Sequence, residues 1–252
     1  MAEVVRVLAP NAGPYTGPGT NTWILGAGPV AIVIDPGPDD DGHLDRIDRR
    51  LRGLPVGVVL VTHSHPDHLP LAARLAARHR CPVSRHPELA DQDTVRVGSV
   101  SLVALHTPGH APDHLCFWLE QDRVAFTGDL LLGQGSTMIT FPDGDMAAYL
   151  DSLDRLAALN PRMLFPGHWD PVTDAAARIA DQRAHRLARE AQILAELARE
   201  PAGARLLTER VYGEEIGPEL MGAAQMTLRA HLRKLVAEGR ARSDADTFWP
   251  AG

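Results

Sequence analysis

Five histidines and two aspartates, set in four short segments, carry the chemistry of this sequence. His63-Ser64-His65-Pro66-Asp67-His68 is followed by His110 in Thr107-Pro108-Gly109-His110, Asp129 in Thr127-Gly128-Asp129 and His168 in Pro166-Gly167-His168. Each segment comes after an apolar run, so each ligand stands where a strand runs out into a loop. His63 and His65 are two residues apart, and at a strand mouth their side chains can converge on one ion. Five imidazoles and two carboxylates are enough for two divalent cations that share one carboxylate and one hydroxide. A lone His-x-His or Asp-His pair would be surface polarity plus a helix cap. The complete set, with three further glycine-flanked ligands in order, points to a metal-dependent hydrolase whose nucleophile is a metal-bridging hydroxide.

Two residues carry expectations beyond ligation. Asp67 is placed to orient the nucleophile, and after Pro66 breaks the strand it is a good first residue for the helix expected over 69–79. His114, in His110-Ala111-Pro112-Asp113-His114, has two readings of equal weight. It is either catalytic (supporting a ligand from behind, touching substrate or protonating a leaving group) or a histidine that opens the next strand and is satisfied by backbone. Asp113 reads as a turn residue. His43, His79, His106, His185 and His231 lack motif context, and structural roles suit them better.

The elements that must position these groups alternate short apolar runs with helices. Strands are expected at 4–8, 21–25, 30–34, 58–61, 83–85, 100–106, 115–119, 124–127 and 163–165. Asp35-Pro36-Gly37-Pro38 ends one strand in a turn before a helix over 44–51. Residues 145–159 read as an amphipathic helix with Met146, Tyr149, Leu150, Leu153 and Leu156 on its buried stripe. Residues 173–200 form a long helix stopped by Pro201.

His-x-His-x-Asp-His, then Pro-Gly-His, Gly-Asp and Pro-Gly-His in that order, resembles the metallo-β-lactamase superfamily. Asn21 within Gly19-Thr20-Asn21-Thr22-Trp23, the run Gly128-Asp129-Leu130-Leu131-Leu132-Gly133 and the long helical tail are similar, more narrowly, to the beta-lactamase-like protein 2 group. The resemblance runs from about Asn11 to Trp249 and implies an α/β fold, the αβ/βα four-layer sandwich, with metals at one edge of two facing sheets. It implies that His63, His65 and His110 hold one ion, that Asp67, His68 and His168 hold the other, and that Asp129 bridges them. Two Zn²⁺ are the default cofactors; iron and manganese accept the same ligands. His86 falls where the family chain passes near the site rim and is not expected to touch substrate. The chain departs from the pattern at Leu69-Pro70, where relatives often carry small residues, and at Trp169, where a glycine is usual. Both departures are expected to narrow the mouth of the site.

From Pro201 the texture changes. Helical segments over 204–212, 218–221 and 223–238, then a terminal hairpin, follow the plan of a winged helix, so the expected division is a catalytic domain over 1–200 and a winged-helix-like module over 201–252. Arg229, Arg233, Lys234, Arg240 and Arg242 would be its nucleic-acid contacts. Glu209, Glu214, Glu215, Glu219 and Glu238 balance much of that charge, which favours a packing or homodimerisation lid that shapes access to the pocket.

Composition fits an enzyme of this size. The 252 residues are 44% hydrophobic and can bury a full core. A net charge of −7 argues against a globally basic nucleic-acid binder. Cys81 and Cys116 fit free thiols in a reducing compartment. No apolar stretch approaches a membrane span, no signal peptide is evident, and a cytoplasmic location is the default. Three substrate readings stand. One is single-stranded RNA, toward which the narrower resemblance leans, with Arg85, Arg186 and Arg189 as candidates for a basic rim. The second is a small thioester, lactone or lactam, because the 62–68 run looks like that of glyoxalase II enzymes. The third and weakest is a non-enzymatic nucleic-acid-binding scaffold.

Overall fold

Several strands of this chain are apolar on both faces, and two stacked sheets between helices are the arrangement that buries both. The computed structural model describes residues 3–213 and 215–251; Glu214 lies outside the described residues. The first sheet runs in the order β1 (Val4–Leu8), β2 (Asn21–Gly26), β3 (Ala31–Ile34), β4 (Val56–Leu60), β5 (Val83–Ser84). The second runs β10 (Met163–Pro166), β9 (Val124–Gly128), β8 (Leu115–Leu119), β7 (Val100–His106), β6 (Thr94–Val97). Between them lies a core that includes Trp23, Ile32, Leu60, Leu102, Phe117 and Phe126. All five residues of β8 and of β9 are buried.

Helices close both outer faces. α1 (Asp41–Leu51) and α2 (Ala72–His79) set Leu44, Ile47 and Leu75 against Ile24, Val33 and Val59 of the first sheet. α3 (Met146–Ala158) and α4 (Ala175–Arg199) set Tyr149, Leu153, Leu156 and Ile179 against Leu105, Trp118 and Leu164 of the second. The result is the αβ/βα four-layer sandwich. β3, β4 and β5 are parallel neighbours, as are β9 and β10, so the loops leaving β3, β4, β9 and β10 gather at one edge.

The tail comprises β11 (Ala202–Gly203), α5 (Ala204–Tyr212), a 3₁₀ turn at Pro218–Leu220, α6 (Met221–Ala237) and the hairpin β12 (Ala241–Asp244) and β13 (Thr247–Pro250). Leu207, Leu228, Leu232 and Leu235 pack with Ile193 and Leu197 from the far half of α4. Buried Glu190 of α4 ties this unit down, with Lys234 Nζ at 2.9 Å and Arg240 Nη1 at 3.0 Å. Among the described residues no helix is long and apolar enough to cross a membrane.

Element boundaries differ from the sequence expectation in informative places. α1 begins at Asp41 because the Asp40 side chain caps it, accepting from the His43 N–H. α2 begins at Ala72, not 69, and no side chain caps it. Asp67 therefore does not start that helix. It lies in a turn closed by the His68 N–H on the His65 carbonyl at 3.0 Å, which carries Asp67 and His68 round toward His65. β6 and β11 escape a periodicity reading because one is half exposed and the other is two residues long.

Candidate metal centre

The strand ends deliver the seven predicted residues to one place. His63, His65, Asp67 and His68 follow β4, His110 follows β7, Asp129 follows β9 and His168 follows β10. His63 Nε2 lies 2.9 Å from His65 Nδ1, and His110 Nε2 lies 2.9 Å from the same atom. On the other side His168 Nε2 stands 3.2 Å from Asp67 Oδ2, and His68 Nε2 stands 3.4 Å from it. Asp129 reaches both groups, with Oδ2 at 3.7 Å from His110 Nε2 and 3.4 Å from His168 Nε2, and Oδ1 at 3.5 Å from His68 Nε2.

Outer hydrogen bonds decide which ring nitrogen faces inward. His110 Nδ1 donates to the Met138 carbonyl at 2.7 Å, and His168 Nδ1 donates to the Gly19 carbonyl at 3.1 Å. His68 Nδ1 donates to Asp35 Oδ2 at 2.9 Å. Thr62 Oγ1 gives its proton to the same Asp35 oxygen at 2.8 Å, which leaves it to accept from His63 Nδ1 at 3.0 Å. With Nδ1 protonated in all four rings, the Nε2 lone pairs converge where a cation would sit.

This donor set fits two divalent cations. His63, His65 and His110 form one cluster of ligand atoms and Asp67, His68 and His168 another, with Asp129 beside His63 and His68. His68 Nε2 and Asp129 Oδ1 are buried without a hydrogen-bond partner, which an enclosed polar atom tolerates only if something else binds it. Burial would raise the carboxyls of Asp67 and Asp129, but the surrounding histidines hold both well below the usual range, so both are ionised. Imidazole and carboxylate in this mixture suit zinc, iron or manganese.

Two glycines show how tightly the site is built. A Cβ on Gly167 would lie 2.4 Å from Asp129 Oδ1 and 2.8 Å from His68 Cε1. Gly128 has φ +45°, and a Cβ there would lie 2.6 Å from Thr62 Oγ1 and 2.8 Å from His114 Nε2.

The site opens into a cavity of about 620 Å³. His65, Asp67, His110, Asp129 and His168 line one part of it. Residues of α4 and the tail line another, among them Arg186, Arg189, Tyr212, Ile216, Leu220 and Thr227. The tail thus roofs the pocket.

Comparison with known proteins decides the family. The family model described as the metallo-beta-lactamase superfamily matches residues 15–94 and 89–168. The chain belongs to the metallo-beta-lactamase superfamily. The beta-lactamase associated winged helix domain matches residues 204–249 of this superfamily member. Among curated relatives it is similar to an atrochrysone carboxyl ACP thioesterase of Emericella nidulans, 33% identical over 252 residues, covering 94% of this chain and 80% of that protein. Among solved structures it is similar to a beta-lactamase domain protein from Burkholderia ambifaria, with TM-score 0.86, 25% identity and coverage of 98% of this chain and 91% of that one. A di-iron-bound relative has TM-score 0.57 and 26% identity, with 69% of this chain and 98% of that chain covered. The superfamily and the named thioesterases make this chain a hydrolase.

The remaining residues of this superfamily member sort by contact. His114 is fully buried and does not line the cavity; the Asp129 N–H donates to its Nε2 at 3.1 Å, and its Nδ1 meets Thr107 Oγ1 at 2.9 Å. His86 stacks on His106 with ring centroids 4.7 Å apart, away from the cavity. Trp169 lines the cavity and lies against Gly17; its φ of 64° is the conformation that makes glycine usual there. Leu69, by contrast, packs against the core beneath α1 and α2 and does not line the cavity. Cys81 and Cys116 are free thiols apart from the ligands.

Several residues went unnoticed in the sequence. Asp35, read as part of a turn, is 1% exposed and also accepts the Thr62 N–H at 2.7 Å. Its signal was an aspartate directly after an apolar strand parallel to the one that carries His63. Asn21, quoted only for a family likeness, donates from Nδ2 to the carbonyls of Pro166 at 3.0 Å and Trp169 at 2.7 Å, which grips the loop of His168 from both sides. His185 lines the cavity and meets Ser136 Oγ at 3.2 Å. Arg186 and Arg189 line the cavity too, but both are buried, so neither makes an exposed basic rim; Arg85 does not line it.

Proposed function

We propose that this chain is a dinuclear metal-dependent thioesterase that hydrolyses an acyl thioester presented by a carrier or a pantetheine-like thiol. The observation that carries this reading is the shape and lining of the cavity beside the ligand cluster. It is roofed by the tail, largely apolar, and sized for one acyl group rather than for an open polymer track. The names of the curated relatives support the same chemistry.

His63, His65 and His110 would hold one ion, Asp67, His68 and His168 the other, with Asp129 shared. When bound, the two ions supply Lewis acidity toward the carbonyl oxygen and a water that ionises near neutral pH. The chain does the rest. Outer bonds to Asp35, Thr62, Met138 and Gly19 fix the ligand rings. Thr20 Oγ1 donates to Asp67 Oδ2 at 3.3 Å, which holds that carboxylate to orient the attacking water and take its proton. The water oxygen adds to the thioester carbonyl carbon, the C–S bond breaks, and the thiolate leaves to be protonated. His114 positions Asp129 and does not touch the substrate.

Single-stranded RNA has less support. Of the five tail cations offered as nucleic-acid contacts, Arg229 pairs with Asp246 at 2.9 Å, and Lys234 and Arg240 pair with Glu190 and Glu238. Charge neutralised within the fold is not available to phosphates. The test gives the zinc-loaded protein an aroyl-pantetheine thioester and an end-labelled single-stranded RNA in parallel. Thiol release with intact RNA supports the proposal; RNA cleavage without thiol release overturns it.

A further inference from the structure

The geometry points to Arg186 as the receptor for a single negative charge on the acyl group, so that the preferred substrate is a bulky aromatic acyl thioester carrying one additional anionic oxygen. This rests on the thioesterase reading for the identity of the acyl group, but the anion site stands on its own observations.

Arg186 is 3% exposed and lines the same cavity as the metal ligands. One Nη donates to the Thr137 carbonyl, the guanidinium carbon lies 5.4 Å from the centre of the Tyr149 ring, and Nε has no hydrogen-bond partner. Among the described residues no carboxylate lies within ion-pair distance of it. The nearby acids among the described residues are committed elsewhere. Glu215 pairs with Arg189 at 2.6 Å, and Glu190 pairs with Lys234 and Arg240. A buried guanidinium with an open donor and no counter-charge is costly unless an anion completes it.

The charge count sets the valence of the ligand. Arg189 is neutralised by Glu215 and is further occupied by the Val211 carbonyl at 2.8 Å. Among the described residues one uncompensated positive charge therefore remains, and it suits a carboxylate or an ionised phenolic or enolic oxygen better than a phosphate dianion. Leu132, Met138, Trp169, Tyr212, Ile216 and Leu220 supply flat and apolar walls for a ring system. Thr137 couples this anion site to the metals. Its carbonyl accepts from Arg186, and its hydroxyl donates to the Asp129 carbonyl at 2.8 Å. An acyl group anchored on Arg186 is thus held at a fixed offset from the cluster.

Binding, rather than turnover, tests this. Naphthalene-2,6-dicarboxylate and 2-naphthoate differ by one carboxylate, and each is titrated calorimetrically into the zinc-loaded protein and into Arg186→Met and Arg186→Lys. The diacid should bind at least about tenfold tighter than the monoacid to the parent protein. Arg186→Met should abolish that preference while leaving zinc content unchanged, and Arg186→Lys should retain part of it. Equal affinities for the two acids in the parent, or an undiminished preference in Arg186→Met, would overturn the inference. Inorganic phosphate that displaces the diacid at equal concentration would also overturn it, since the anion would then be the carrier's phosphate. A preference for the diacid in a protein that cleaves no thioester would sink the thioesterase reading and leave the anion site standing.

Discussion

The backbone N–H of Asp129 donates to Nε2 of His114 across 3.1 Å, so this imidazole accepts where a proton donor would have to give. Its remaining proton sits on Nδ1, against Thr107 Oγ1. Burial, and then the neighbouring His110, push its pKa well below the ordinary value, so the ring is neutral. Its work is to hold the backbone of Asp129, whose carboxylate both clusters would share. Replacing His114 with alanine should weaken metal affinity about 10- to 100-fold, the usual effect of removing such a support. With metal restored in excess, the pH–rate profile should keep its basic limb. Loss of that limb would mean that His114 protonates the leaving group.

Asp35 carries a comparable load at the other cluster. Its two oxygens accept from the Thr62 N–H, the Thr62 hydroxyl and His68 Nδ1. Asp35→Ala should free His68 to turn and should cost about 2–3 kcal/mol of stability from the buried donors it abandons. Bound metal per chain, read by elemental analysis, should fall from two toward one. Two tightly held ions in the variant would show that His68 needs no such partner.

Gly167→Ala probes packing rather than chemistry. The added methyl would press on Asp129 Oδ1 and His68 Cε1, so the centre should lose metal and activity. Far-UV circular dichroism should be unchanged, because the sheets do not depend on that contact. Full activity would mean that the loop of His168 yields more readily than its two Asn21 bonds imply.

Glu190 gives the tail a pH signature. Burial raises its carboxyl, but His231 and Lys234 outweigh burial and bring it down to about 2. A folded-state value below the unfolded one means that its stabilisation is complete above the unfolded value of 4.5 and is lost as pH falls through about 2. His231, held down to about 4 chiefly by burial, adds an earlier loss. Between about 6.5 and 4 the unfolded chain takes a proton that the folded one refuses. Glu190→Gln should destabilise the protein by about 1–3 kcal/mol at pH 7, since it removes the buried carboxylate and leaves Lys234 and Arg240 with Glu238 alone. Urea midpoints should show the gap between parent and variant narrowing below pH 4.5. A constant gap down to pH 2.5 would contradict the assignment.

The cluster of candidate ligands and the strand-and-helix alternation were legible in the sequence because both are local. Ligands stand next to apolar runs, and a buried strand announces itself in five or six residues. What was not legible depends on contacts distant in sequence. Asp35 looks like any Asp-Pro-Gly turn until β3 and β4 pair and bring it beneath His68. Arg186 and Arg189 look like surface charges on an alanine-rich helix until the tail folds back over them. Three of the five tail cations, Arg229, Lys234 and Arg240, read as nucleic-acid contacts until the fold brings Asp246 and Glu190 to them. Asp67 misled in the opposite direction, because a helix-start residue and a turn residue share the same propensities.

The most direct test of the central claim titrates zinc into metal-free protein while thiol release from an aroyl-pantetheine thioester is followed. Thiol release should stay near background through the first equivalent and rise with the second, and Asp129→Asn should bind fewer than two ions and release no thiol. Full thiol release from chelator-stripped protein, or from Asp129→Asn, would contradict a shared two-metal centre as the seat of hydrolysis.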